Sequence, residues 1–303
     1  MVIKFPVMNR DSWLLLRSED LTASDVGAAA GVDPYKSPLT LYAEKTGAIL
    51  PVGENPLLRR GRWLEAAVLQ AIKETHPTWE VRTVGMYYRD PDLHLGATPD
   101  AVAVTDQPGV TNVQCKVVGP KAYLANWSDG PPMNYLLQTM TEAMLMDADQ
   151  SILAALVIDS YSADLYLHEV PRHPGAEQRI REIAKEFWTN VREGKRPAPK
   201  MPGDGDVIEA LYPVAKQEPV LDLAGDNMLR ELLAERHDLK LDMKEAEERI
   251  DEIDSEVKGK LGEYEQAVLP GWKISWPTQH RREYTVPAKS FRRLTITSLE
   301  ETA

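Results

Sequence analysis

The sequence predicts an α/β protein, a mixed central sheet flanked by helices, with a long helix and a small β element at its C-terminal end. Three observations carry this. Residues 11–76 hold helical patterns punctuated by Ser, Gly and Pro, and residues 79–170 hold β-rich runs interrupted by one helix. Residues 226–268 place apolar side chains at alternating steps of four and three. Helices and strands interleaved in this order make a layered α/β domain, and the four-three step is the coiled-coil period.

"DSWLLLR" (residues 11–17) reads as a short first helix. "TASDVGAAAG" follows, with Thr22 or Ser24 as its N-cap and Gly31 as its stop. "SPLTLYAEKTG" is a third helix, capped by Ser37, with Pro38 at its first position and Gly47 at its end. "NPLLRRGRWLEAAVLQAIKETH" is a longer helix ended by Pro77. "WEVRTVGMYYR", "LGATPDAVAV" and "VTNVQCKVV" are three β-rich runs divided by turn residues. A helix, "NYLLQTMTEAMLM", precedes two strands, "ILAALVI" and "ADLYLHEV", and the helix "GAEQRIREIAKEFWTNVREG" closes the domain. The Pro- and Gly-rich residues 194–206 mark a boundary, dividing a domain at 1–200 from an appendage at 201–303. In the appendage an unbroken helix over Asp226–Val268 would extend about 60 Å, and the tail from Gly271 reads as two or three short strands.

The 303 residues can bury a sizeable core. No apolar run approaches the ~20 residues that span a bilayer, and the start lacks the pattern of a signal peptide. A single cysteine, Cys115, excludes a disulfide framework and a cysteine-based zinc site, and points to a reducing, cytoplasmic compartment. The net charge of −12 is uneven: residues 1–200 hold 21 Lys+Arg against 25 Asp+Glu, residues 201–303 hold 14 against 22. Such a chain does not coat nucleic acid nonspecifically, so any DNA contact must be concentrated.

The chemistry lies in "GATPDAVAVTDQPGVTNVQCKVVG" (residues 96–119). In a strand over 113–117, Gln114 and Lys116 share one face while Val113, Cys115 and Val117 share the other. If the two β runs form a hairpin, Asp100 lies beside Gln114. A carboxylate there suits Mg²⁺, which prefers oxygen ligands and keeps several waters, and a lysine two residues from an oxygen ligand can hold water or stabilise phosphate charge. An ordinary hairpin accounts for this stretch about equally well. Glu65 lies close to the apolar face of its helix, Gln138 and Glu142 share a helical face, and Arg17 with Ser24 would suit a phosphate.

Together these blocks resemble the YqaJ-type viral recombinase family, the group that includes phage lambda exonuclease, within the PD-(D/E)XK nucleases. The resemblance runs from about Arg17 to Val170 through "LRSEDLTASDVGAAAGVDPYKSPLTLYAEKTG", "RGRWLE", "GATPDAV", "VQCK" and "YLLQ". It implies a restriction-endonuclease-like core and a metal-dependent 5′→3′ exonuclease on double-stranded DNA ends, leaving 3′ single strands for recombination by annealing. Asp100, Gln114, the Cys115 backbone carbonyl and Glu65 would hold Mg²⁺ or Mn²⁺. Lys116 would be the catalytic lysine, Gln138 would orient substrate or lysine, and Arg17 and Ser24 would form the 5′-phosphate pocket, with Lys121 a further phosphate contact. An annealing protein as partner, a trimeric ring and, for a phage-encoded chain, the host cytoplasm are family precedents.

Gln114 departs from the pattern, standing where the family usually has Glu or Asp. It keeps a carbonyl oxygen but loses a charge and cannot accept a proton from water. With Asp100, Lys116, Glu65 and Gln138 all retained, a tolerated variant is the favoured reading. The alternative is a weakened or inactive nuclease fold that binds DNA ends as a recombination accessory. A third reading gives the function to the long helix as a docking arm.

Overall fold

Caps, glycines and prolines set the element boundaries. In the computed structural model, β1 (Ile3–Pro6) leads into α1 (Arg10–Glu19), whose N-cap Asn9 accepts from the Ser12 N–H. β2 (Leu21–Thr22), α2 (Ala23–Ala29) and α3 (Pro38–Lys45) follow; Ser37 caps α3, and Gly47 at φ +71° ends it. α4 (Pro56–Thr75) is capped by Asn55. Then come β3 (Glu80–Thr83), β4 (Met86–Asp90), β5 (Leu95–Ala97), β6 (Ala101–Val104), β7 (Thr111–Val118), α5 (Pro120–Asn126), α6 (Met133–Met146), β8 (Gln150–Ile158), β9 (Ala163–Glu169) and α7 (Pro174–Arg192). The last elements are α8 (Gly205–Leu211), α9 (Asn227–Leu261), β10 (Gln266–Leu269) and β11 (Trp272–Ser275). The structure describes residues 1–51, 53, 55–216, 220–280, 288 and 291–297, in two units, Met1–Pro213 and Val214–Ala303.

The central sheet has the order β3-β6-β7-β8-β9 and is mixed: β7 and β8 are parallel, the other pairs antiparallel. This is the mixed central sheet flanked by helices that the sequence predicts. Alternation along β7 decides what covers each face. Val113 and Cys115 join Val68, Leu69 and Ile72 of α4 in one apolar cluster. On the opposite face, Leu153 and Ala155 of β8 pack with Trp127, Tyr123 and Tyr135 beside α5 and α6. A second sheet, β1-β4-β5-β2, shares its core with α2, α6 and α7. Helix α2 approaches α6 so closely that a Cβ on Gly27 would lie 2.8 Å from the Asn134 Cβ, so a glycine there lets α6 sit where it does.

The expected β runs are shorter than read. Gly85, at φ +60°, splits the first, and Thr98-Pro99-Asp100 splits the second, giving five strands where three runs were read. β1 and α5 were not anticipated; β1 is an edge strand, which tolerates Pro6. Ser24 lies inside α2, and the N-cap position belongs to Thr22. Trp127 directly follows α5 and is buried. The long helix ends at Leu261, not Val268: Gly262 turns the chain at φ +56°, and Val268 belongs to a β10–β11 hairpin. Along α9, Leu239, Met243, Ile250 and Ile253 are exposed. The further strands expected in the tail fall largely on 281–287, 289, 290 and 298–303, outside the described residues.

The Pro- and Gly-rich stretch is fastened to the first unit. Buried Asp204 accepts from Ser37 Oγ at 2.6 Å, Thr40 Oγ1 at 3.2 Å and the Lys200 N–H at 2.6 Å. The first unit accordingly runs to Pro213, beyond the boundary expected after residue 200.

Candidate active site

The β6–β7 register pairs Ala101 with Val113, so Asp100 and Gln114 face each other one step beyond the last ladder pair. Asp100 Oδ2 accepts from Gln114 Nε2 at 2.6 Å and from the Cys115 N–H at 2.8 Å. A strand residue's N–H and C=O point the same way, so the Cys115 carbonyl also faces Asp100. Gln114 is 3 % exposed, and its Oε1 is buried without a hydrogen-bond partner.

Two residues along β7, Lys116 Nζ donates to Gln138 Oε1 at 2.9 Å and lies 4.7 Å from the centre of the Tyr135 ring. Both partners come from α6, three residues apart and therefore on one face. Gln138 Nε2 donates to Glu142 Oε1 at 3.0 Å, and Asn112 Nδ2 reaches Glu142 Oε2 at 3.4 Å. Asn112 and Tyr135 were not among the expected site residues, and Glu142 was read only as sharing the helical face of Gln138. Asn112 was legible: it shares the Gln114–Lys116 face by alternation, a polar residue inside an apolar strand.

Glu65 occupies α4 one turn before Val68 and Leu69, on the stripe facing β7. Burial and the charge of Asp100 push its carboxyl up to about 7, against the opposing pull of Lys116. Burial likewise raises Asp100, opposed by Lys116 and the Cys115 N–H, and raises Glu142, reinforced by the charge of Asp100. These carboxyls therefore sense one another electrostatically. The Cys115 thiol is driven up by burial and by Asp100, which makes it a poor nucleophile.

Arg17 and Ser24 also meet. Arg17 Nη2 donates to Ser24 Oγ at 2.9 Å, and its guanidinium lies 4.6 Å from the centre of the Trp13 ring. Trp13 Nε1 donates to Thr98 Oγ1 at 2.9 Å, tying this cluster to the turn that carries Asp100. Beneath it lies Asp25; burial raises its carboxyl, but Lys45, Lys36 and Arg17 together hold it well below the usual range. Lys121 stands apart from this network, exposed on the first turn of α5.

Among the described residues, no three His, Cys, Asp or Glu side chains are placed to hold a metal ion. The available donors are nevertheless all oxygens: Asp100, the Cys115 carbonyl and Gln114 Oε1. Turning the Gln114 amide over would bring its unpartnered oxygen against Asp100 Oδ2, two acceptors facing one another as cation ligands do. That set fits a hard divalent cation, which needs only one or two carboxylates and completes its shell with water.

Residues 12–149 match the family model described as the YqaJ-like viral recombinase domain. The uncharacterized protein YqaJ of Bacillus subtilis (strain 168) is 24 % identical over 277 residues, 89 % of this chain and 83 % of that protein. The fold resembles the alkaline exonuclease LHK-Exo of Laribacter hongkongensis, with a TM-score of 0.50 and 18 % identity over 61 % of this chain and 94 % of that one. The structure of LHK-Exo in complex with dAMP matches equally well.

Proposed function

We propose that the chain, whose residues 12–149 match the YqaJ-like viral recombinase domain, is a metal-dependent exonuclease that digests double-stranded DNA from 5′ ends and leaves 3′ single strands for annealing. The observation that carries the reading is the convergence of Asp100 from the turn before β6, Gln114 and Lys116 from β7 and Gln138 from α6. A 5′-phosphate would enter beside Arg17 and Ser24. The ligand class is drawn from LHK-Exo, solved with a deoxynucleotide.

In this reading Asp100, Gln114 Oε1, the Cys115 carbonyl and Glu65 hold Mg²⁺ or Mn²⁺. When bound, the cation supplies Lewis acidity for phosphodiester hydrolysis. Lys116 orients the attacking water and neutralises charge developing on the phosphate. Gln138 holds Lys116 in place. The Arg17 guanidinium and the Ser24 hydroxyl grip the terminal phosphate through charge-assisted hydrogen bonds, and Lys121 contacts phosphate further along the duplex. A single-strand annealing protein and sister subunits of a trimer are the partners that the family resemblance implies.

A second reading rests on Gln114. With one carboxylate fewer, the site would bind DNA ends and cleave slowly or not at all. Digestion of linear duplex, labelled at the 5′ or the 3′ end, separates the two, with Mg²⁺ or Mn²⁺ and with Asp100→Ala as control. Metal-dependent loss of 5′ nucleotides that needs Asp100 supports the exonuclease. End binding without digestion, with cleavage appearing in Gln114→Glu, supports the second reading.

A further inference from the structure

Glu142 terminates the network that begins at Lys116, and the proposed reaction gives it no part. Its side chain is 1 % exposed, on α6 one turn beyond Gln138. Carboxyls are costly to bury. What the carboxyl does is accept: from Gln138 Nε2 at 3.0 Å on one oxygen, and from Asn112 Nδ2 at 3.4 Å on the other. The same Asn112 Nδ2 is directed from its other side by the Thr139 carbonyl, 3.3 Å away.

An amide side chain has nearly the same shape either way round, but opposite hydrogen-bonding ends. In one orientation Gln138 offers Lys116 a carbonyl oxygen. In the other it turns N–H donors toward a cation. An acceptor at the far end decides between them, because it welcomes the Nε2 donor and rejects Oε1. The carbonyl oxygen of a carboxyl accepts whether or not the other oxygen carries a proton, so the control requires only that the oxygen facing Gln138 be the unprotonated one.

We infer that Glu142 is a positioning residue: by holding Gln138 Nε2 it keeps Gln138 Oε1 turned to Lys116 and so fixes the direction of the Lys116 ammonium. The kinetic consequence rests on the nuclease reading. The orientation itself does not, and it can be observed without metal or substrate.

The test compares Glu142→Leu, Glu142→Gln, Gln138→Leu and the Glu142→Leu/Gln138→Leu double variant, each folded by thermal melt; Glu142→Met replaces Glu142→Leu if the latter does not fold. Lys116 is read by NMR of ¹³C-methylated lysines, assigned with Lys116→Arg, and digestion of linear duplex gives kcat and KM. Glu142→Leu should move the Lys116 signal as Gln138→Leu does and lower kcat about 10–100-fold, with KM within about threefold. Glu142→Gln, which keeps a carbonyl, should recover most of both. The double variant should be no slower than Gln138→Leu alone. An unmoved Lys116 signal in Glu142→Leu, or losses that multiply in the double variant, overturns the inference. If no variant and not the parent digests DNA, yet the Lys116 signal still follows Glu142, the nuclease reading falls and the positioning role stands.

Discussion

Gln114 Nε2 donates to Asp100 Oδ2 at 2.6 Å, so the side chain that departs from the family pattern is hydrogen-bonded to the carboxylate it would have to assist as a fellow ligand. The contact leaves Gln114 Oε1 buried and unpartnered. Metal binding must break the hydrogen bonds of Gln114 Nε2 to Asp100 Oδ2 and, at 3.4 Å, to the Cys115 carbonyl, but it satisfies an orphaned oxygen, which offsets part of that loss.

Gln114→Glu should therefore act in opposite directions with and without metal. Without metal the variant loses the 2.6 Å hydrogen bond and sets a second carboxyl against Asp100, costing about 1–3 kcal/mol. With Mn²⁺ the added charge should tighten binding at least tenfold, about 1.4 kcal/mol, and raise the digestion rate. Thermal melts and calorimetric titration with Mn²⁺ check both signs. Unchanged metal affinity and rate would remove Gln114 from the site.

The polar face of β7 was legible because strand alternation is strict: Gln114 and Lys116 had to share a side, and the Gly and Pro turns made the β6–β7 hairpin readable. The burial of Glu142 was not, because nothing local separates a buried helical glutamate from a surface one; it is decided by β7, whose Asn112 meets the carboxyl. The end of the long helix was misplaced for a related reason. Val268 fits the four-three step, but Gly262 reverses the chain first, and a periodicity count does not weigh a single turn residue. The run "WEVRTVGMYYR" was read as one strand although Gly85 sits in its middle, and the left-handed turn there hands the chain from one sheet to the other.

The raised carboxyls predict a pH dependence. Asp100, Glu65 and Glu142 all hold protons above their ordinary range, Glu65 to about 7. Between the ordinary carboxylate range and about 7 the folded protein binds more protons than the unfolded one, so stability falls as pH rises. Without metal, Tm should decline from pH 5 to pH 8. Metal binding by Asp100 and Glu65 needs both deprotonated, so the stabilisation given by Mn²⁺ should grow over the same interval. A Tm that rises with pH in metal-free protein would contradict the electrostatics of the site.

Arg17 reaches Ser24 at 2.9 Å and is linked through Trp13 to Thr98, beside Asp100. An end-recognition role predicts that Arg17→Ala lowers digestion of 5′-phosphorylated duplex about 10–100-fold, the loss of one charge-assisted contact, while a 5′-hydroxyl duplex is affected little. Equal losses on both ends would make Arg17 a structural residue.

Gly96 precedes that turn, and a Cβ on it would stand 1.8 Å from Tyr87 Oη. Tyr87 is fully buried and donates to Asp20 Oδ2 at 2.9 Å, so its ring has no room to retreat. Gly96→Ala should cost about 1–3 kcal/mol by overpacking, read as a lower denaturant midpoint. An unaltered midpoint would mean that the second sheet yields more readily than its packing implies.

Where the first unit ends can be settled by two truncations. A chain stopped at residue 200 loses Asp204, which gathers Ser37, Thr40 and the Lys200 N–H at 2.6–3.2 Å around one buried carboxylate. Ser37 also caps α3, which carries Lys45, and Lys45 donates to the carbonyls of Arg17 and Asp20. The loss therefore propagates toward the Arg17 cluster. Chain 1–200 should be less stable than chain 1–213 by about 1–3 kcal/mol, which for a domain of this size lowers Tm by roughly 2–10 °C. Asp204→Ala in chain 1–213 should reproduce most of that difference. If instead the point variant is silent and only the truncation is costly, the stability comes from α8 packing on α3, and Asp204 merely accompanies it.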